Sequence, residues 1–206
     1  MKSFMKNEFR LFVSAADATK KKPRTPPSPP LVIPSEHKGV TFDDMISILS
    51  SAESESGIPV GLLSVMAFAE SQGDPTVVSG GGDVRGLLQI TTQFMKQMKV
   101  KDVTDIKEVA RAAARYLKHS HDVMMKARNT HAFSGFGWNP EWELATMAYH
   151  SGNQGVLNWL AAGAPMTGEH DSVGPRTLNY AEKIASYMTG GFNPEIMRSK
   201  WDKQGL

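Results

Sequence analysis

Six of the chain's twelve prolines fall between Pro23 and Pro34. Each proline removes a backbone N–H and fixes φ, so this stretch can enter neither a helix nor a sheet, and it is predicted to be a stiff, extended connector. The folded domain is predicted to start after it, near Gly39. Residues 1–38 are therefore predicted to be a basic, Pro-rich leader and linker, residues 39–192 the folded domain, and residues 193–206 a short C-terminal tail. Within the leader, Phe4, Met5, Phe9, Leu11, Phe12 and Val13 are spaced as a short amphipathic helix suited to docking. Residues 1–18 end in small side chains like a signal-peptide cleavage site. Lys6, Asn7, Glu8 and Arg10 break the apolar core that a secretion signal needs.

Charge divides at the same place. The first 40 residues carry eight Lys/Arg against three Asp/Glu, the remainder fifteen against eighteen, so the formal charge of +2 belongs to the leader. The body has no basic stripe with interleaved aromatics, and no nucleic-acid partner is expected. The chain has no cysteine, which excludes disulfides, thiolate nucleophiles and Cys-type zinc sites together. No apolar run approaches the roughly 20 residues of a transmembrane segment. At 206 residues the chain suits one domain with a sizeable core.

From Thr41 onward, apolar residues recur at helical spacing between Gly and Pro punctuation. Thr41 and Asp44 resemble a capping box ahead of Phe42, Met45, Ile46 and Leu49. Pro59 suits the first position of a second helix running to about Ser71, before Gly73 and Pro75. A Gly-rich loop over 79–86 leads to a short helix after Thr91, and a long helix is predicted over 105–126. Asn139 and Pro140 open another helix, interrupted at Gly152 and resumed to Ala162; a last one covers 175–188. Alternating Val/Ile/Thr runs are nearly absent, so the predicted fold class is mainly α, several helices with little or no β-sheet.

One carboxylate is out of place. At about 100° per residue, Pro59, Leu62, Leu63, Met66, Ala69 and Glu70 share one arc of the second helix. A carboxyl group on such a face must be paired or be held protonated, because desolvation disfavours its charged form. A protonated carboxylic acid near neutral pH is what cleavage of a glycosidic bond requires. Periodicity alone leaves the alternative open: a salt bridge from Glu70 to Arg85, Arg111 or Arg115. His119 and His121 are about 200° apart on their helix and cannot share an ion, so no metal site is expected there; no cofactor is expected either. Phe133, Phe136, Trp138 and Trp142, set among glycines, suit either sugar stacking or packing over the core.

Ordered words surround Glu70. Gly57-Ile58-Pro59 with Leu62 and Leu63, Glu70-Ser71, Asp74-Pro75 with Ser79, and Gly86-Leu87-Leu88-Gln89-Ile90 follow one another. Ala113-Ala114-Arg115-Tyr116-Leu117, Ala148-Tyr149-His150-Ser151-Gly152 and Thr177-Leu178-Asn179-Tyr180 come after them. Together, over roughly residues 41–190, these resemble the soluble lytic transglycosylase family, which is related to goose-type lysozyme. The resemblance implies a lysozyme-like α fold around a glycan-binding cleft, peptidoglycan glycan strands as substrate, no metal, and Glu70 as the catalytic acid. It also implies that Gln89 and the backbone at Leu87 and Leu88 line the cleft, that Ser79 orients an N-acetyl group, and that Tyr149 and Tyr180 support the sugar and the catalytic carboxyl. Three positions depart from the family: His150 stands for the usual Asn, the loop over 80–84 looks one residue longer, and Arg176 replaces a common acidic residue.

The family's reaction uses one carboxyl group as acid and then base. It closes a 1,6-anhydro ring on N-acetylmuramic acid without consuming water. A hydrolase would need a second carboxylate, about 5 to 5.5 Å away for retention or about 6.5 to 9.5 Å for inversion. The candidates are Asp74, which reads as a turn residue before Pro75, and Asp83, which follows three glycines. A muramidase using Glu70 with Asp83 is thus the second enzymatic expectation, and a cell-wall-binding virion module without catalysis the non-enzymatic one. The chain is expected to act on the wall in the periplasm, virion-associated or released by phage lysis, with the leader docking to a virion, membrane or secretion-complex partner.

Overall fold

The computed structural model describes residues 40–168 and 170–203. The leader's predicted helix and the proline-rich connector lie outside these residues. The described chain forms two compact units, one of residues 40–116 with 190–203, the other Leu117–Thr189. Among the described residues there are eight α-helices and one small three-stranded sheet, as the near absence of alternating apolar patterns predicts. No helix among them is long and apolar enough to cross a membrane.

The first unit opens with α1, Phe42–Ser56. Its capping box forms as expected: the Asp44 N–H donates to Thr41 Oγ1 at 3.1 Å and the Thr41 N–H donates to Asp44 Oδ2 at 3.0 Å. Phe42, Met45, Leu49 and Ala52 are buried, a spacing of three and four that turns one stripe inward. Gly57, at φ 67°, ends the helix in the left-handed conformation that glycine adopts without strain.

Helix α2, Leu62–Ser71, begins three residues later than Pro59 suggested. Pro59 instead opens a turn, its carbonyl accepting from Leu62 N at 3.2 Å. The start of the helix is fixed from outside. Glu53 of α1, completely buried, receives the N–H groups of Gly61 at 2.7 Å and Leu63 at 2.6 Å. These are N–H groups that a helix start leaves without an internal partner.

After α2 come β1 (Val78–Ser79), β2 (Val84–Arg85) and β3 (Ile90–Thr91), antiparallel in that order. Val78 pairs with Arg85, and Arg85 in turn with Ile90. Helix α3 (Thr92–Met98) is capped by Thr91 Oγ1, which accepts from Phe94 N at 3.0 Å. Helix α4 (Ile106–Met125) contributes to both units, the first as far as Tyr116. The stretch beyond residue 192, marked by the sequence only as a tail, forms α8, Pro194–Lys203, with Met197 and Trp201 buried.

The second unit holds the rest of α4 with α5 (Pro140–Ser151), α6 (Asn153–Ala161) and α7 (Pro175–Ser186). Asn139 caps α5 as predicted, its Oδ1 accepting from Glu141 N at 3.1 Å with Pro140 in the first turn. Gly152 separates α5 from α6. Trp159, Leu160, Met147, Val156 and Met124 are completely buried at the centre of this unit's core.

Candidate active site

Glu70 occupies the last turn of α2. Residues Leu62 to Ala67 are buried on every side of the helix, Ser64 included, whereas Phe68, Ala69 and Glu70 are half-buried. The carboxyl group therefore stands where the helix leaves the core, rather than in the middle of a single apolar stripe. Two of the three arginines considered as its partners are engaged elsewhere. Arg111 forms a two-pronged pair with Glu55, both contacts at 2.9 Å, and Arg85 Nε donates to the Gly82 carbonyl at 2.7 Å.

Two other glutamates, without a motif around them, carry the same signal of a carboxyl group among apolar helical positions. Glu53 lies four residues after Leu49 on the buried stripe of α1, and Glu143 four residues before Met147 on α5; both are completely buried. Each carboxylate accepts backbone N–H groups, Glu143 those of Phe136 at 2.6 Å and Trp138 at 2.9 Å. Burial pushes the Glu53 carboxyl above its ordinary value, outweighing the N–H groups of Gly61, Leu63 and Ser64 that pull it down. These two glutamates organise backbone, and they are closed to solvent.

Immediately after Glu70, Ser71 ties the helix end to the segment that carries Gln89. The Ser71 hydroxyl lies 2.8 Å from the Leu87 carbonyl and 3.0 Å from that of Ala67, and it accepts the Gly73 N–H at 3.2 Å. Leu87 and Leu88 are buried, so their side chains belong to the core. Gln89 sits at φ 46°, an uncommon backbone conformation for a residue other than glycine. Its side-chain amide is committed within the same loop: Nε2 donates to Val77 O at 3.0 Å and Gly86 O at 2.9 Å, and Oε1 accepts from Ser79 Oγ at 2.7 Å. Both amide hydrogens are thereby used, so Gln89 braces the hairpin that presents Ser79 instead of offering an N–H to a ligand.

The two aspartates differ. Asp74 Oδ1 accepts from both the N–H and the hydroxyl of Thr76, each at 2.7 Å, the side-chain turn that its place before Pro75 suggested. Asp83 is exposed, and its backbone carbonyl accepts from Thr92 N at 3.1 Å.

The remaining predicted residues gather on the second unit. His150 Nδ1 lies 3.0 Å from Thr177 Oγ1, and the His150 and Tyr180 rings are 5.2 Å apart at 31°. Burial lowers the His150 pKa, and the Arg176 charge lowers it further, so the imidazole is neutral near pH 7. Tyr149 and Tyr180 are half-buried. In the aromatic segment, Phe133 is buried with its ring edge-on to Phe136 at 5.4 Å and to Trp159 at 5.5 Å. Trp142 stacks on His121 at 4.2 Å, and His121 also reaches Asp122 and Glu141 at 3.2 and 3.4 Å. Phe133 and Trp142 thus take the packing alternative.

The site residues accordingly form two clusters, each inside its own unit: Glu70, Ser79, Leu87, Leu88 and Gln89 in one, Tyr149, His150 and Tyr180 in the other. The family pattern described as "Transglycosylase SLT domain" matches residues 47–167. Among similar proteins, "Membrane-bound lytic murein transglycosylase F" of Alcanivorax borkumensis is 38% identical over 74 residues, which are 36% of this chain and 16% of that protein. "Membrane-bound lytic murein transglycosylase F 2" of Alkalilimnicola ehrlichii is 35% identical over 71 residues, 34% of this chain and 16% of its own length. The chain spans less than a fifth of the length of either relative.

Proposed function

The chain belongs to the transglycosylase SLT domain family, and from that premise we propose that it is a peptidoglycan lytic transglycosylase with Glu70 as its single acid/base. The bond cut is the β-1,4 linkage between N-acetylmuramic acid and N-acetylglucosamine in the bacterial cell wall. The observation that carries this reading is the placement of Glu70: half-buried in the last turn of an otherwise buried helix, with its neighbour Ser71 bonded to the Leu87 carbonyl of the Gly86–Gln89 segment.

Glu70 first gives its proton to the departing sugar oxygen. The substrate's own N-acetyl group stabilises the positive centre at C1. Glu70, now a carboxylate, removes the proton of the C6 hydroxyl on the same sugar, and that oxygen attacks C1 to close the 1,6-anhydro ring. The proton that left Glu70 is replaced by the one from C6, and no water enters. Because the Ser79 hydroxyl already donates to Gln89, Ser79 receives an N–H of the substrate, such as that of an N-acetyl group, on its free lone pair. His150, neutral and held by Thr177, serves as a hydrogen-bonding group in the place of the family's usual Asn, with Tyr149 and Tyr180 beside it supporting the sugar.

Asp74, engaged with Thr76, is already in use as a turn residue, which leaves Asp83 as the carboxylate a hydrolytic route would recruit. A turbidity assay on purified cell walls tests the acid/base assignment. Wild type clears the suspension and Glu70→Gln does not; equal clearing by both would refute it.

A further inference from the structure

Helix α8 lies beyond the residues 47–167 that the family pattern matches, yet its unit uses it at the end of α2. Phe192, just ahead of α8, packs its ring 5.5 Å from that of Phe68. Completely buried Met197 fills the space above Gly73, where a Cβ would stand only 2.5 Å from Met197 Cγ. Phe68 and Gly73 flank Glu70 in sequence, two residues before it and three after. One turn further along the same face, α8 is fastened to α1: Trp201 is buried with its ring edge-on to Phe42 at 6.5 Å. Arg198 spans the same junction, its guanidinium 2.8 Å from Asp43 Oδ1 and 4.5 Å from the Phe42 ring centre.

Helix ends fray because their last carbonyls lack partners, so the direction of a side chain in a final turn depends on what holds that turn from outside. Phe68 and Glu70 are about 200° apart on the wheel. A ring pressed on Phe68 therefore backs the helix on the side opposite Glu70 and fixes the rotation of the turn that presents it. Met197 over Gly73 holds the chain where it leaves that turn, and Ser71 bonded to Leu87 holds it between the two.

We propose that Phe192 and Met197 are positioning residues that aim the Glu70 carboxyl, so that the catalytic unit is complete only with its C-terminal helix. This rests on the reading of Glu70 as the acid/base. Neither residue touches substrate; both act through the last turn of α2. Losing either one lowers turnover and leaves binding nearly intact, since displacing a reacting group by about 1 Å can cost up to a hundredfold in rate.

The test uses the full chain, soluble peptidoglycan oligomers, and a temperature below the melting point of every variant. Phe192→Ala and Met197→Ala are compared with Met197→Leu as the shape-conserving rescue, Ile196→Ala on the exposed side of α8, and Val109→Ala as a core variant of the same unit. The expected result is a fall in kcat of about tenfold or more with KM changed less than about twofold. A displaced Glu70 limb in the pH–rate profile accompanies it, Met197→Leu restores most of the rate, and Ile196→Ala is unaffected. The proposal is overturned if the two alanine variants keep wild-type kcat and pH profile, or if Val109→Ala reproduces their kcat loss at equal loss of stability. An inactive Glu70→Gln beside fully active Phe192→Ala and Met197→Ala removes this proposal alone, whereas an active Glu70→Gln removes the acid/base reading and this proposal with it.

Discussion

At the start of α2, Glu53 is completely buried and receives backbone N–H groups of the first turn; at its end, Glu70 is half-buried in the last turn, at the carbonyl pole of the helix. Both residues stand among apolar residues of their helices, and the residue type alone does not distinguish them. What separates them is the pole of the helix each one meets and whether solvent reaches the carboxyl group. A glutamate closed in and bonded to N–H groups fixes where a helix begins, whereas Glu70 stands half-buried in the last turn, at the carbonyl end. Glu143 in the second unit belongs with Glu53, since it receives the N–H groups of Phe136 and Trp138.

Substitution by glutamine separates the two classes. Glu70→Gln lowers glycan cleavage by roughly a hundred- to ten-thousandfold, the usual contribution of a general acid/base. Its melting temperature, read by circular dichroism, stays near that of wild type. Glu53→Gln does the reverse. An amide can accept from only one of the two N–H groups and turns its own donor toward the other, at a cost of about 1 to 3 kcal/mol in stability. Turnover by the folded fraction remains. Glu143→Gln gives a stability loss of the same order. A chemical-denaturation series that left Glu53→Gln as stable as wild type would break the comparison.

Ser71→Ala is a smaller perturbation at the other end. It removes the hydroxyl between Ala67, Gly73 and Leu87, for which a stability loss of about 0.5 to 1.5 kcal/mol is expected. A decrease in kcat larger than any change in KM goes with it; unchanged kcat would show that the Leu87 link does not hold Glu70.

These contrasts also mark what could be read in advance. Thr41 with Asp44 and Asn139 with Pro140 were legible because capping is decided within three residues. The start of α2 was misplaced at Pro59 because the deciding group, Glu53, belongs to the preceding helix. Two-residue strands carry no measurable period, so the small sheet had no signal of its own. Helix α8 was marked as a tail although Met197 and Trp201 stand four apart, since two apolar positions in so polar a segment do not make a stripe. At the site, Glu70 was visible from its place among apolar residues. The bracing role of Gln89 was not, because its partners Val77 and Ser79 lie twelve and ten residues away.

The smallest expected effect concerns His150. Burial and Arg176 lower its pKa below the ordinary 6.5. The unfolded chain therefore takes up a proton that the folded chain refuses, and stability falls as pH drops below about 6.5 while staying level above it. His150→Asn flattens this dependence between pH 7 and 5 in thermal melts and retains glycan cleavage. A steeper pH dependence in the variant would contradict the assignment.

Digestion of purified peptidoglycan in ¹⁸O-labelled water, followed by mass spectrometry of the released muropeptides, addresses the central claim most directly. With Glu70 as the single acid/base, the new ends are 1,6-anhydro-N-acetylmuramic acid and carry no label. Hydrated reducing ends bearing ¹⁸O would contradict it and would point instead to a hydrolase with Asp83 as the second carboxylate.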